Sequence, residues 1–100
     1  MSIIPSDSNI FIIDLEYCVP LTQVEPLIPA HITFLEKYYE RGVFLASGAK
    51  VPREGGVILA ISKSKEVVQN LIKQDPFYVA GVAKYSITEF TPSNKAKELF

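Results

Sequence analysis

The chain has one cysteine, one histidine and no tryptophan among its 100 residues. A lone Cys18 cannot close an internal disulfide, so no covalent staple supports the fold. One cysteine and one histidine also cannot build a zinc site unless carboxylates or a second subunit supply most ligands, and no metal or other cofactor is expected. The start MSIIPSDSN has neither the basic segment nor the long apolar segment of a secretory signal, which, with the single thiol, points to a reducing cytoplasm. No apolar run approaches the roughly eighteen residues needed to cross a bilayer, so no membrane role is expected. Ten Lys and Arg against eleven Asp and Glu leave a formal charge of −1. There is no basic run and no interleaving of basic with aromatic residues, which argues against nucleic acid as a partner.

What is present is the composition of a packed protein, 48% hydrophobic and 21% charged. At this length one modest core can be buried, so residues 1–100 are read as a single domain with its core over about 9–92 and a tail at 93–100. NIFIIDLEYCV (9–19) is rich in β-branched and aromatic residues, and Phe11, Ile13, Leu15, Tyr17 and Val19 form one unbroken apolar face of a strand. Its other face begins apolar at Ile10 and Ile12 and turns acidic at Asp14 and Glu16, read as solvated edge charges. Thr22-Gln-Val-Glu25 has the form of a capping box, while Pro29 suits a first helical turn, so the helix start lies open between them. The helix runs to Arg41 and stops at Gly42.

VFLASGAKV (43–51) and GVILAIS (56–62) read as a hairpin around the tip PREGG. Val57 to Ile61 is apolar at every position, which indicates cover on both faces of that strand. Ser62 or Ser64 can cap a second helix running through Gln74, with Val67, Val68, Leu71 and Ile72 turned to the sheet. Asp75-Pro76 interrupts it, FYVAG forms a short turn, and VAKYSITEFTP (82–92) supplies the last strand. The tail SNKAKELF is polar with an apolar tip, suited to a short helix docked on a neighbour. The order is β-α-β-β-α-β, an α+β ferredoxin-like antiparallel sheet with two helices on one face. Two helices protect one side of the sheet only. A homodimer closing sheet on sheet covers the other; the alternative is cover by the tail or the loops.

The histidine is the anomaly. At about 100° per residue, Ile28, His31, Leu35 and Tyr38 share one narrow arc flanked by Phe34 and Tyr39, and that arc must face the sheet. A neutral core histidine bonded to a backbone carbonyl would satisfy the pattern. So would half of an acid–base pair. Asp75 sits at the end of the second helix, where the helix dipole disfavours a carboxylate, and Asp-Pro is also a good N-cap for the turn that follows. In this topology the start of one helix and the end of the other come close. A carboxylate beside His31 would orient the imidazole and select its tautomer, as in a general acid–base dyad.

Pro29-Ala30-His31, Ser47-Gly48, and Asp75-Pro76-Phe77 followed by Ala80-Gly81 and a final strand resemble the YCII-related (YciI-like) family of the dimeric α+β barrel superfamily, over roughly Ile10 to Phe90. The resemblance implies a ferredoxin-like fold, a dimer closed through its sheets, and a His/Asp active site at His31 and Asp75. Most such proteins have no assigned reaction, while some relatives are dehydrochlorinases or stand near muconolactone-isomerase-like enzymes acting on small rings. Two positions depart from the pattern: Ile28 stands where many members carry arginine, and Ala49 where many carry proline. The first removes a cation that could clamp an anionic substrate.

Of the other candidates, Ser47 and Gly48 give a small strand surface suited either to a ligand or to helix packing. Ser47 lies in no nucleophile elbow and is not read as a nucleophile. Gly55-Gly56 lacks the following helix of a phosphate loop and is a turn. Cys18 reads as a small buried hydrophobe. Tyr38, Tyr39, Phe77 and Tyr78 serve either as core or as walls for a flat ring, with Tyr38 and Phe77 placed in the pocket together with Ser47 and Gly48. The sequence therefore points to cofactor-free proton transfer by His31 and Asp75 on a small cyclic or unsaturated compound, an isomerisation or an elimination. The competing classes are a metabolite-binding or regulatory module using the same cleft, and a structural dimer module with the cleft filled.

Overall fold

The computed structural model describes residues 4–99. Strand β1 (Asn9–Tyr17) is central, because alternation gives it one fully apolar face and a second that is half apolar. It pairs antiparallel with β3 (Gly55–Ser62) on one side and β4 (Ala83–Phe90) on the other. The short strand β2 (Phe44–Ala49) adds to the free edge of β3, so the sheet order is β2-β3-β1-β4. This is the ferredoxin-like arrangement expected from the order of elements.

Phe11, Ile13 and Leu15 of β1 and Ile58 and Ala60 of β3 face the helices and are essentially inaccessible. The helical layer begins with a single turn, α1 (Leu21–Val24), passes through a 3₁₀ turn at Glu25–Leu27, and becomes regular in α2 (Ile28–Glu40) with Pro29 in its first turn. The capping box expected at Thr22 and Glu25 does not form. The cap of α1 is Pro20, without a side-chain bond, and Pro26 in the 3₁₀ turn divides the stretch into two pieces. Helix α2 ends at Arg41 and Gly42 as its sequence requires.

Helix α3 (Lys65–Ile72) is shorter than expected and presents Val68, Leu71 and Ile72 to the core. Val67 does not join them and is 52% exposed, because it lies one residue round the helix from Val68. Ser64 occupies the cap position without a side-chain bond there; Ser62 Oγ instead accepts from the Ser64 N–H. Cys18 is exposed rather than buried, since β1 has already ended, and its thiol donates to the Gly81 carbonyl at 3.3 Å. Asp14 pairs with Lys50 at 2.8 Å across the outer face of the sheet, and Glu16 is solvated. The tail forms a 3₁₀ turn at Lys97–Leu99, while its apolar tip Phe100 lies outside the described residues.

One glycine marks a close approach. A Cβ on Gly55 would lie 1.8 Å from the Leu15 carbonyl oxygen of β1, whereas a Cβ on Gly48 would meet nothing within 4 Å. Gly55→Ala is therefore expected to force β3 away from β1 and cost about 1–3 kcal/mol or more, and Gly48→Ala to cost far less. Denaturant midpoints of the two variants check this; equal losses would contradict it.

Candidate active site

The site is built around a segment that caps itself. Helix α4 is a single turn, Pro76–Val79, with Asp75 as its N-cap and Pro76 in its first turn. Asp75 Oδ1 accepts from the Phe77 N–H at 3.0 Å. The turn closes in the way that long helices close: the Gly81 N–H donates to Tyr78 O at 3.1 Å and the Val82 N–H to Phe77 O at 3.1 Å. That pattern needs a left-handed conformation at the first of these two donors, and Gly81 takes it with φ +69°. Asp-Pro-Phe-x-x-Ala-Gly is thus a complete one-turn helix with both ends satisfied locally.

The cap leaves most of the Asp75 carboxylate uncommitted, and two other elements use it. His31 Nδ1, in the first turn of α2, lies 2.8 Å from Oδ1. The Tyr85 hydroxyl, on β4, donates to Oδ2 at 2.5 Å. Asp75 itself has 0% exposure. Its oxygens serve as acceptors throughout, so Nδ1 carries the proton that is donated, and Nε2 is left as the free acceptor of the ring. The Phe77 ring stacks on the imidazole at 4.0 Å and 9°, which fixes the plane of the ring as the carboxylate fixes its rotation. Two helical turns further along α2, the Tyr38 hydroxyl donates to Gln74 Oε1 at 2.8 Å. The junction between α3 and α4 is therefore held to α2 at two adjacent residues.

The imidazole is not in the middle of the core. Phe34 and Tyr38 take that position at 6% and 5% exposure, and Ile28, His31 and Leu35 lie on the neighbouring flank of the helix. This flank borders a cavity of about 280 Å³. Leu15, Ile28, Leu35 and Ile58 give it aliphatic walls, and Phe77, Ser47 and Gly48 also line it. The His31 side chain retains 15% exposure, so the ring is reachable from the cavity and from solvent.

Of the residues expected at the pocket, His31, Ser47, Gly48 and Phe77 border the cavity, and Asp75 stands behind His31. Tyr38 does not border it. Its ring lies two helical turns along α2 from His31 and packs in the aromatic cluster with Phe34 and Phe44. Ser47 Oγ bonds the Tyr39 hydroxyl at 2.5 Å, which leaves it without a base. The open space above Gly48 shows that no protein backbone requires a glycine there. Three residues at the site escaped the sequence reading. Tyr85 is an inward position of β4 with a polar tip among apolar neighbours, a signal available once the strand's parity is known. Tyr17 lines the cavity from the end of β1, and Arg53 lines it from the hairpin tip. No periodicity connects a tip residue to a cavity.

Burial raises the Tyr85 phenol far above the ordinary tyrosine range, and its hydrogen bond to Asp75 and the carboxylate's negative charge raise it further. Among the described residues there is no group of three or more His, Cys, Asp or Glu side chains that could hold a metal ion. Among the described residues no helix is long and apolar enough to cross a membrane.

Fold and site together define an α+β ferredoxin-like protein with a buried carboxylate orienting an accessible imidazole at the wall of a small cavity. Residues 10–91 match the YCII-related domain, and the chain belongs to that family. Among curated proteins none matches it. Among solved structures it is similar to 5-chloro-2-hydroxyhydroquinone dehydrochlorinase from Burkholderia phenoliruptrix AC1100 in complex with 2,5-dihydroxybenzoquinone. The TM-score is 0.70 at 18% identity, covering 81% of this chain and 92% of that one, which establishes a shared α+β fold.

The Tyr85 geometry has a consequence for pH. The folded state keeps the phenol neutral where an unfolded chain ionises it at about pH 10. Its contribution to stability is thus complete below that pH and is lost as the pH rises through and beyond it. Denaturant midpoints of the native chain are expected to fall more steeply between about pH 9 and 11 than those of Tyr85→Phe. Identical slopes would contradict the assignment.

Proposed function

We propose that the protein is a cofactor-independent enzyme in which His31 moves a proton on a small ring compound bound in the cavity, with Asp75 steering the ring. The observation that carries this reading is the 2.8 Å bond between a carboxylate of 0% exposure and an imidazole of 15% exposure. A wholly structural pair has no need of an accessible ring facing a cavity. The structural similarity to a dehydrochlorinase supports a small cyclic substrate and makes elimination the first chemistry to test.

In such an elimination His31 Nε2 takes a proton from the substrate. The electron pair released forms the new double bond, and halide departs with the pair of the carbon–halogen bond. The imidazolium is stabilised by Asp75 and gives its proton to water. In an isomerisation the same proton returns to another carbon of the ring. Neither route needs an external oxidant or reductant. Asp75 accepts from Nδ1–H at every stage and holds the tautomer that leaves Nε2 free. Tyr85 and the Phe77 N–H keep that carboxylate in place.

The test is chloride release from chlorinated hydroxyhydroquinones, beginning with 5-chloro-2-hydroxyhydroquinone. General acid–base catalysis contributes about 10²–10⁴-fold, so His31→Gln is expected to lower kcat by at least about 10² with a smaller change in KM. Asp75→Asn should lower it less, because the ring remains but its tautomer is no longer selected. Turnover unchanged in His31→Gln would remove catalysis from this site. Saturable binding without turnover would favour a metabolite-binding module.

The same reading includes a homodimer closed through the outer faces of the sheets. Ile10 and Ile12 of β1 and Val57 and Leu59 of β3 lie on that face, and Phe90 of β4 joins them at 42% exposure. The helices cover the opposite face. A second copy burying this surface is the simplest cover. Leu59→Glu is expected to shift the sedimentation coefficient from that of a dimer to that of a monomer; a native chain that sediments as a monomer would overturn the proposal.

A further inference from the structure

We propose that Arg53 makes the cavity selective for anionic ring compounds, binding an ionised phenol or carboxylate oxygen of the ligand. The inference rests on the placement of the reacting ring beside His31 and adds the charge that the ring carries. Arg53 is the one residue of the cavity lining with a permanent charge. Around it the walls are aliphatic side chains, the Tyr17 and Phe77 rings, and the small residues of β2. Such walls accept a flat apolar body but give an anion no compensation, so the charge of a ligand is decided by the guanidinium.

The hairpin tip holds Arg53 over the cavity. The Glu54 N–H donates to Pro52 O at 2.8 Å, and the Tyr17 N–H donates to Glu54 O at 2.9 Å. The tip is thereby tied to the end of β1, whose Tyr17 ring lines the same cavity and meets Phe77 edge-on at 6.0 Å. Tyr17 thus connects the tip to Phe77, the ring stacked on the imidazole. The position of Arg53 belongs to the framework rather than to a free loop.

The guanidinium is also uncommitted. Its one charge partner among the described residues is Glu25, with Nη1 and Oε1 4.0 Å apart and side-chain exposures of 42% and 57%. A pair at that distance and exposure is weak, and none of the five guanidinium N–H groups makes a hydrogen bond within the described residues. A carboxylate or a phenolate flanked by a second oxygen fits the planar fork, accepting two parallel bonds where Glu25 offers one long contact. The cation would also favour the ionised form of a ring hydroxyl, the form that pushes electron density into the ring when a substituent leaves. Glu25, on the turn before α2, becomes a competitor that a bound anion displaces.

Binding spectra with two probes test this: 2,5-dihydroxybenzoquinone, ionised at neutral pH, and its uncharged dimethyl ether. The native chain is expected to bind the anion more tightly and to lose affinity as salt rises. Arg53→Gln should weaken the anion by about tenfold or more while changing the ether by less than about twofold. Arg53→Lys should fall between, because an ammonium supplies charge without the fork. Glu25→Gln, outside the cavity lining, should tighten the anion by about twofold. The proposal is overturned if Arg53→Gln binds the anion as the native chain does, if the ether binds as well as the anion, or if the native chain binds no anion at millimolar concentration. His31→Gln separates the two readings. It should keep the preference for anion over ether while losing turnover, so loss of proton transfer alone leaves the Arg53 inference standing, and loss of charge preference in Arg53→Gln alone leaves His31 as the base.

Discussion

A single carboxylate, fully enclosed and accepting from three donors on three different elements, is the constraint on which the site depends. Asp75 receives the Phe77 N–H from its own turn, the imidazole from α2 and the phenol from β4. A buried carboxylate without such partners would cost several kcal/mol, of order the whole stability of a small domain. Satisfied in this way, it joins helix, turn and strand at one atom group. No buried polar side-chain atom among the described residues lacks a partner. The network is therefore complete, and the imidazole within it is held in one tautomer and one plane.

The cavity follows from the same placement. Because His31 must meet Asp75, α2 is turned so that Phe34 and Tyr38, rather than His31, fill the deepest part of the core. The flank carrying Ile28, His31 and Leu35 is left beside β2, whose Ser47, Gly48 and Ala49 have side chains too small to fill the space. Phe77 closes one side by stacking on the imidazole. Ring-stacking, the carboxylate and the short strand thus act together: two orient the histidine, and the third leaves room in front of it.

Much of this was legible in the residues. Alternation in 9–19, the unbroken apolar run in β3 and the glycine that stops α2 correctly imply the order of elements, because each is a local pattern with one period. The Asp-Pro pair could be read as a cap, and the structure realises that reading and the pairing with His31 at once. The misreadings have a common origin. Val67 and Cys18 were assigned to the interior, and Tyr38 to the pocket, from an idealised helical or strand phase; Val67 lies one residue round α3 from the buried Val68, β1 ends at Tyr17 before Cys18 is reached, and Tyr38 packs in the core instead of lining the cavity. The capping box failed because two prolines overrule a pattern that depends on one continuous helix.

By itself the sequence determined the class of fold and the face of the sheet that meets the helices, and it singled out His31 and Asp75 as a candidate pair. These rest on periodicities and on residue types with few alternative homes, a lone histidine on an apolar arc and an aspartate at the wrong end of a helix. Tertiary structure decided which flank of α2 faces the cavity, that Tyr85 completes the carboxylate's partners, and that Arg53 reaches the same space from the hairpin tip. Residues 31, 53, 75 and 85 lie on a helix, a tip, a cap and a strand. Only the packing of those four elements, which no local pattern encodes, brings them to one place.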